Sequence, residues 1–225
     1  MKTIANNAYV ISQKPVIYCK LLVLSTALLF SACAVLDKPV QPTVYDFGPG
    51  TLTSSASLNL DPQARTLVLA EVDAPTALDN TAVLYRLAYA DDQQLRPYAL
   101  ARWSMPPAQL VRQRPRARLS QGIVVLNASE GVALGKTAAG WPLLLRLELE
   151  EFSQRFDSPQ SSAGLVKLRA VLLETSAGTE KLLGQRLLVT QRPAASADAA
   201  GGVRAMTAAT DALADELNDW LKVWR

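Results

Sequence analysis

The sequence predicts a single α/β domain: a mixed, largely antiparallel sheet with two main helices packed against it. Three observations predict that class. Between residues 143 and 191, apolar side chains recur at every second position in three successive stretches, the period that puts them on one face of a strand. From Val203 to the end, apolar residues step by three and four instead, the period of one helix face. A third stretch opens with Ser104 and two prolines, a cap and an entry where a missing N–H costs nothing.

The chain begins with a segment outside that domain. Its first 20 residues carry Lys2, Lys14 and Lys20 and no acid, and the ten from Leu21 to Phe30 are apolar or small. A positive stretch, an apolar run of about 7–15 residues and a small-residue cleavage site make an export signal. A bilayer span needs about 20 apolar residues, so this run is too short to be one. Phe30-Ser31-Ala32-Cys33 resembles the bacterial lipobox, with phenylalanine where leucine is usual. The resemblance implies that residues 1–32 are removed and that Cys33 becomes the lipidated first residue. Ala34, standing where aspartate would signal retention, implies the periplasmic face of the outer membrane. Stable anchoring takes at least two signals such as a pair of acyl chains, each buried methylene giving about 0.8 kcal/mol. Cys19 leaves with the signal, so Cys33 keeps no partner within the chain, and lipidation accounts for it.

Removal of three lysines changes the charge balance. The remaining 193 residues hold 20 basic and 20 acidic side chains, so the excess of +3 in the whole chain implies nothing about nucleic acid. That length supports one domain with a substantial core. The chain has no histidine, which excludes a serine or cysteine triad built on one and removes the commonest metal ligand. A Ser–Lys dyad or a carboxylate pair remains formally open.

Residues 33–42 form a tether of at most about 33–36 Å when extended, so the domain, residues 43–225, sits close to the membrane that holds Cys33. Val44 to Phe47 reads as a short strand stopped by Gly48-Pro49-Gly50, followed by a small, polar loop. Thr66 to Val72 is a strand. Ala82 to Tyr89 and Leu95 to Trp103 read as hairpin arms joined by the turn Ala90 to Gln94. A helix is expected from about Pro106 to Leu119, with Pro115 kinking it or ending it early. Gly122 to Asn127 reads as a buried strand and the residues from there to Trp141 as a long loop. Leu143, Leu145, Leu147 and Leu149 share one strand face, after which the apolar phase slips to Phe152 and Phe156. A β-bulge at Glu150–Glu151 would produce that slip. Leu165 to Glu174 and Leu182 to Gln191 complete a meander. After a loop at 192–202, a terminal helix from Val203 packs on the sheet, its alternative being a subunit or partner interface.

Three motifs invite sharper interpretations. Gly131 to Thr137 approaches a phosphate-binding loop but has three residues between its glycines where four are needed; it is read as a Gly-rich loop. Arg112, Arg114, Arg116 and Arg118 fall on two helix faces and are read as a solvated surface, the functional version being contact with anionic headgroups. No aromatic platform is interleaved, which disfavours nucleic acid. Glu148 and Glu150 share the outward face of a strand and are read as solvated carboxylates.

Several stretches together resemble one family, the ABC-type transport auxiliary lipoproteins, the lipoprotein members of intermembrane systems built around MCE (mammalian cell entry) proteins. The matching residues are the lipobox at Cys33, Tyr45-Asp46-Phe47-Gly48, Leu84-Tyr85-Arg86 followed by Tyr98, and Arg102 to Pro107. An alanine-rich terminal helix with Leu213, Leu217 and Trp220 completes the set. The resemblance implies a non-catalytic auxiliary component of phospholipid transport, without cofactor or metal, that docks an MCE-domain protein spanning the periplasm. It leaves a homo-oligomer open. Tyr45, Tyr85, Arg86, Trp103, Pro106 and Pro107 are expected to be structural. Two other classes remain: an envelope-assembly lipoprotein binding an outer-membrane barrel or cell-wall synthase, and a periplasmic hydrolase. The absence of a G-x-S-x-G elbow counts against the hydrolase.

Overall fold

The computed structural model describes residues 40–50, 65–131, 135–137, 139–176 and 178–224. Cys33 and its lipobox, the signal, and most of the loop after Gly50 lie outside the described residues. The fold below is that of the unit Gln41–Arg225.

Eight strands form one sheet: β1 (Thr43–Tyr45), β2 (Leu67–Asp73), β3 (Ala82–Leu87), β4 (Asp91–Trp103), β5 (Val125–Asn127), β6 (Leu143–Ser158), β7 (Ser161–Ser176) and β8 (Thr179–Pro193). Among the described residues three α-helices accompany it: α1 (Pro107–Leu119), a single turn α2 (Ala128–Gly131), and α3 (Ala199–Leu221). β6 is the axis. One of its edges pairs antiparallel with β7 along the whole length, from Leu143↔Glu174 to Ser158↔Ser161. The other edge is shared. Leu143–Glu148 hold β2 in parallel, and Gln154–Phe156 hold β3 in parallel. β5 extends the β2 arm; β4 and then β1 extend the β3 arm. β8 lies beyond β7 and pairs with no other strand among the described residues.

The period-two pattern of β6 is what buries it. Leu143, Leu145, Leu147 and Leu149 are each at most 1% exposed, and each such side chain removed from water contributes about 1.5–3 kcal/mol. The register breaks between Leu149 and Glu151, so the expected bulge is present, and Phe152 and Phe156 then face the core. On β7, Val166, Leu168, Ala170 and Leu172 are fully buried. α3 covers this face over β6, β7 and β8 and packs against α1, which lies on β2. Met206, Ala209, Leu213 and Leu217 form its buried stripe. The opposite sheet face is open and charged.

Three local expectations are corrected. The turn between β3 and β4 falls at Ala88–Ala90, not at 90–94, because Arg86 donates to the carbonyls of Asp92 and Gln93 and holds them in the ladder. Helix α1 runs from Pro107 to Leu119 as expected, with the buried Pro115 inside it and no early end there. Of Gly122–Asn127 only the last three residues are strand. Gly122 and Ile123 donate back to Leu119 O and finish the helix. The long loop begins with α2, whose Glu130 accepts from the Asn127 N–H at 2.7 Å as in a capping box.

The terminal helix also starts earlier than its periodicity suggests. Asp198 caps it, accepting from the Gly201 N–H at 2.7 Å. Gly201 and Gly202 therefore sit in its first turn, where glycine is a poor helix former. They are there for close approach: a Cβ on Gly202 would lie 1.9 Å from Gln154 Oε1, and one on Gly164 of β7 would lie 2.3 Å from Met206 N.

Candidate docking surface

The six residues expected to be structural form two clusters. In the first, the Tyr85 and Tyr98 rings stand 4.6 Å apart, with Phe156 edge-on to Tyr85 at 6.0 Å. Tyr98 Oη donates to Gln154 Oε1 at 2.8 Å, and Gln154 Nε2 donates to Ser162 Oγ at 2.8 Å. This chain crosses β4, β6 and β7 in a buried layer. Burial, with smaller contributions from Tyr85 and Asp198, raises the Tyr98 phenol well above its ordinary range. Arg86, on the open face, grips both Glu151 oxygens, at 3.2 and 2.9 Å.

In the second cluster, Trp103 meets Phe47 edge-on at 5.6 Å and Phe152 at 5.5 Å. Its indole N–H has no partner among the described residues. Its backbone N–H donates to Thr81 O, and that of Ser104 donates to Tyr45 O, both at 2.7 Å. These bonds lock β1 and β3 on either side of β4. Pro106 occupies the helix cap in extended conformation and Pro107 opens the helix, buried, so the chain turns sharply from sheet to helix.

The arginine cluster is not the solvated surface the sequence suggested. Arg112 donates to the carbonyls of Leu69 and Ala70 and to Asn127 Oδ1, and pairs with Glu71 at 3.2 Å. Arg116 donates to the same Asn127 oxygen. On the other face, Arg114 donates to Phe47 O, stacks over its ring at 5.6 Å and stands 3.2 Å from Asp211, while Arg118 pairs with Asp215. One face thus ties α1 to β2 and β5; the other ties it to α3. Two arginine faces at helical spacing were legible, but the carbonyls and aspartates they meet come from remote elements.

Glu148 and Glu150 are likewise engaged. Glu150 accepts from Lys167 at 2.7 Å and from Arg169, and Glu148 lies 3.6 Å from Arg169. The Lys167 hydrogen bond, helped by Arg169, holds the Glu150 carboxyl below the usual range against its partial burial. These carboxylates share cations rather than a proton. Among the described residues no three acidic, cysteine or histidine side chains converge as a metal site.

Two open grooves flank α3. One, of about 470 Å³, lies between β1 with its following turn and the helix, lined by Val44, Phe47, Val203, Arg204, Thr207 and Asp211. The other, of about 490 Å³, lies between α1 and α3, lined by Pro49, Gly50, Arg114, Arg118, Asp211 and Asp215. Burial pushes the shared Asp211 carboxyl up, opposed by Arg114. Neither groove contains an aligned nucleophile and base; both suit contact with another surface.

The profile of the ABC-type transport auxiliary lipoprotein component matches residues 50–218. The chain belongs to that family. Among solved structures it is similar to protein XCC0632 from Xanthomonas campestris at 18% identity and a TM-score of 0.60, covering 80% of this chain and 95% of that one. It is also similar to an uncharacterized protein at 17% identity and a TM-score of 0.57, covering 81% of this chain and 99% of that one. At such identities the likeness concerns the fold. Among curated proteins none matches the chain. This auxiliary lipoprotein is thus a transport component by family, and no described helix is long and apolar enough to cross a membrane.

Proposed function

We propose that this auxiliary lipoprotein is anchored through Cys33 at the periplasmic face of the outer membrane. There it docks the far end of a periplasm-spanning MCE assembly belonging to an ABC-type phospholipid transporter. The family match over residues 50–218 carries the reading. The geometry around the chain entry supports it. β1 begins at Thr43, so a tether of ten residues, reaching at most about 36 Å, holds the domain beside the membrane. Anything it docks must come to it. Its polar clusters, among the described residues, tie strands and helices together, a structural use in keeping with an auxiliary role.

Cross-linking in intact cells, followed by purification of the tagged lipoprotein and mass spectrometry, tests this reading. An MCE-domain protein is the expected product. Recovery of an outer-membrane barrel or a cell-wall synthase alone would replace the reading with an envelope-assembly role.

A further inference from the structure

We infer that the free edge of β8 is a strand-addition site for an extended segment of a partner protein that alternates carboxylates with apolar side chains. The inference stands on the sheet and not on the membrane anchor.

β8 is 15 residues long and, among the described residues, pairs only with β7. Ala194 N–H donates to Ser162 O at 2.8 Å, and these residues continue the register in which Ala163 faces Pro193 and Gly164 faces Arg192. In an antiparallel ladder, residues that bond the neighbour alternate with residues that face away. The even positions from Gly184 to Ala194 therefore face β7, and Gln185, Leu187, Val189 and Gln191 turn their N–H and C=O groups outward. Of these groups, the Gln191 carbonyl accepts from the Arg192 side chain. Pro193, which has no N–H to offer, falls at the next outward position and ends the row.

Such an edge is a ready template for another strand, and its side chains define what fits. Leu187 and Val189 pair with Arg169 and Lys167 across the ladder, on the face away from α3, and are 44% and 55% exposed. On the helix side stand Arg186 and Arg192, six residues apart, with the buried Leu188 and Thr190 between them. From Lys181 to Pro193 the strand carries three cations and no acid. Among the described residues Lys181 and Arg192 form no ion pair, while Arg186 reaches Glu216 at 2.8 Å.

Charge also disfavours self-pairing. Two-fold antiparallel registers centred on Arg186 or Val189 set Arg186 directly opposite Arg186 or Arg192 of the second copy, and like charges directly opposite are destabilising. A segment with apolar residues toward Leu187 and Val189 and carboxylates toward Arg186 and Arg192 meets both faces, and its backbone completes the row.

The test uses the full-length chain in detergent and two short synthetic peptides, one alternating valine with glutamate and one alternating valine with lysine. Amide exchange at Gln185, Leu187, Val189 and Gln191 is followed by NMR. At roughly ten times its Kd, the glutamate peptide should slow these amides about tenfold, since protection grows as 1 + [L]/Kd. The lysine peptide should leave them unchanged. Arg192→Glu should weaken the effect, and Leu187→Pro, which removes an outward donor while leaving the bonds to β7, should abolish it. Unchanged exchange with the glutamate peptide, or equal protection by both, overturns the inference. So does protection of these amides in the peptide-free protein together with a dimer by analytical ultracentrifugation, which would assign the edge to a second copy.

Discussion

The Tyr98 hydroxyl and the Gln154 carboxamide are 2.8 Å apart in a layer where Gln154 is fully buried. Gln154 passes the chain on to Ser162, so three strands are held by two side-chain hydrogen bonds. Tyr98→Phe leaves the Gln154 oxygen without its donor. An unsatisfied buried acceptor costs about 1–3 kcal/mol, and urea denaturation should show a loss of that size with an unchanged m-value.

The two helix-facing arginines of α1 should differ in weight. Arg114 is mostly buried, with 15% of its side chain exposed, whereas the Arg118–Asp215 pair is 42% and 59% exposed. Arg114→Ala removes a carbonyl contact, a stacked ring and a partner of Asp211, and should cost about 1–3 kcal/mol. Arg118→Ala should cost under about 1 kcal/mol, the usual weight of an exposed pair. Thermal melts of the two variants distinguish them directly.

Gly164 is a steric test of the β7–α3 contact. A methyl group there meets the backbone of Ala205 and Met206, which cannot rotate away. Gly164→Ala should destabilise the protein by about 1–3 kcal/mol, the cost of overpacking. Gly178→Ser, in the open turn before β8, would be a poor control, because Gly178 has φ of +82°. Gly135→Ala, with nothing within contact distance, should stay near wild type.

Glu150 gives the acid side of the stability profile a recognisable sign. A carboxylate held low in the folded state contributes stability that is present above its ordinary value, about 4.3, and lost as pH falls through the folded value. Lys167 and Arg169 do the holding. Glu150→Gln should therefore be less stable than wild type at neutral pH, and the gap should narrow as pH drops below about 4. Denaturation midpoints across that range check it.

Cys33→Ala tests the anchor separately from the fold. The variant should fold but lose labelled fatty-acid incorporation and keep residues 1–32, as judged by metabolic labelling and by the mass of the purified chain. Undiminished fatty-acid incorporation by the variant would remove lipidation of Cys33 from the account.

The sheet was most legible where local pattern and tertiary burial coincide. Leu143 to Leu149 announce both their strand and their buried face, and the phase change after Leu149 announces the bulge. Where a side chain's partner lies far along the chain, sequence gives a type without a role. Arg112 and Arg114 look alike in a basic run, yet one grips β2 carbonyls and the other caps Phe47. The glycines at 201 and 202 read as loop because their helix-disfavouring backbone hides packing reasons, Ser196 against Gly201 and, almost fifty residues earlier, Gln154 against Gly202. The parallel attachment of β2 and β3 to one edge of β6 left no local trace, since neither strand's own pattern names its neighbour.

That shared edge has a consequence for the order in which the fold is committed. A chain that emerges from its N-terminus presents β2, the β3–β4 hairpin and α1 before β6 exists. Until Leu143–Ser158 arrives, β2 has only the three residues of β5 to pair with, and the hairpin has no sheet to join. Contacts of such long sequence separation form slowly, because loop closure must precede their reward. The first half of the domain therefore waits with open strand edges, and the sheet closes late, around a strand that lies past the middle of the chain.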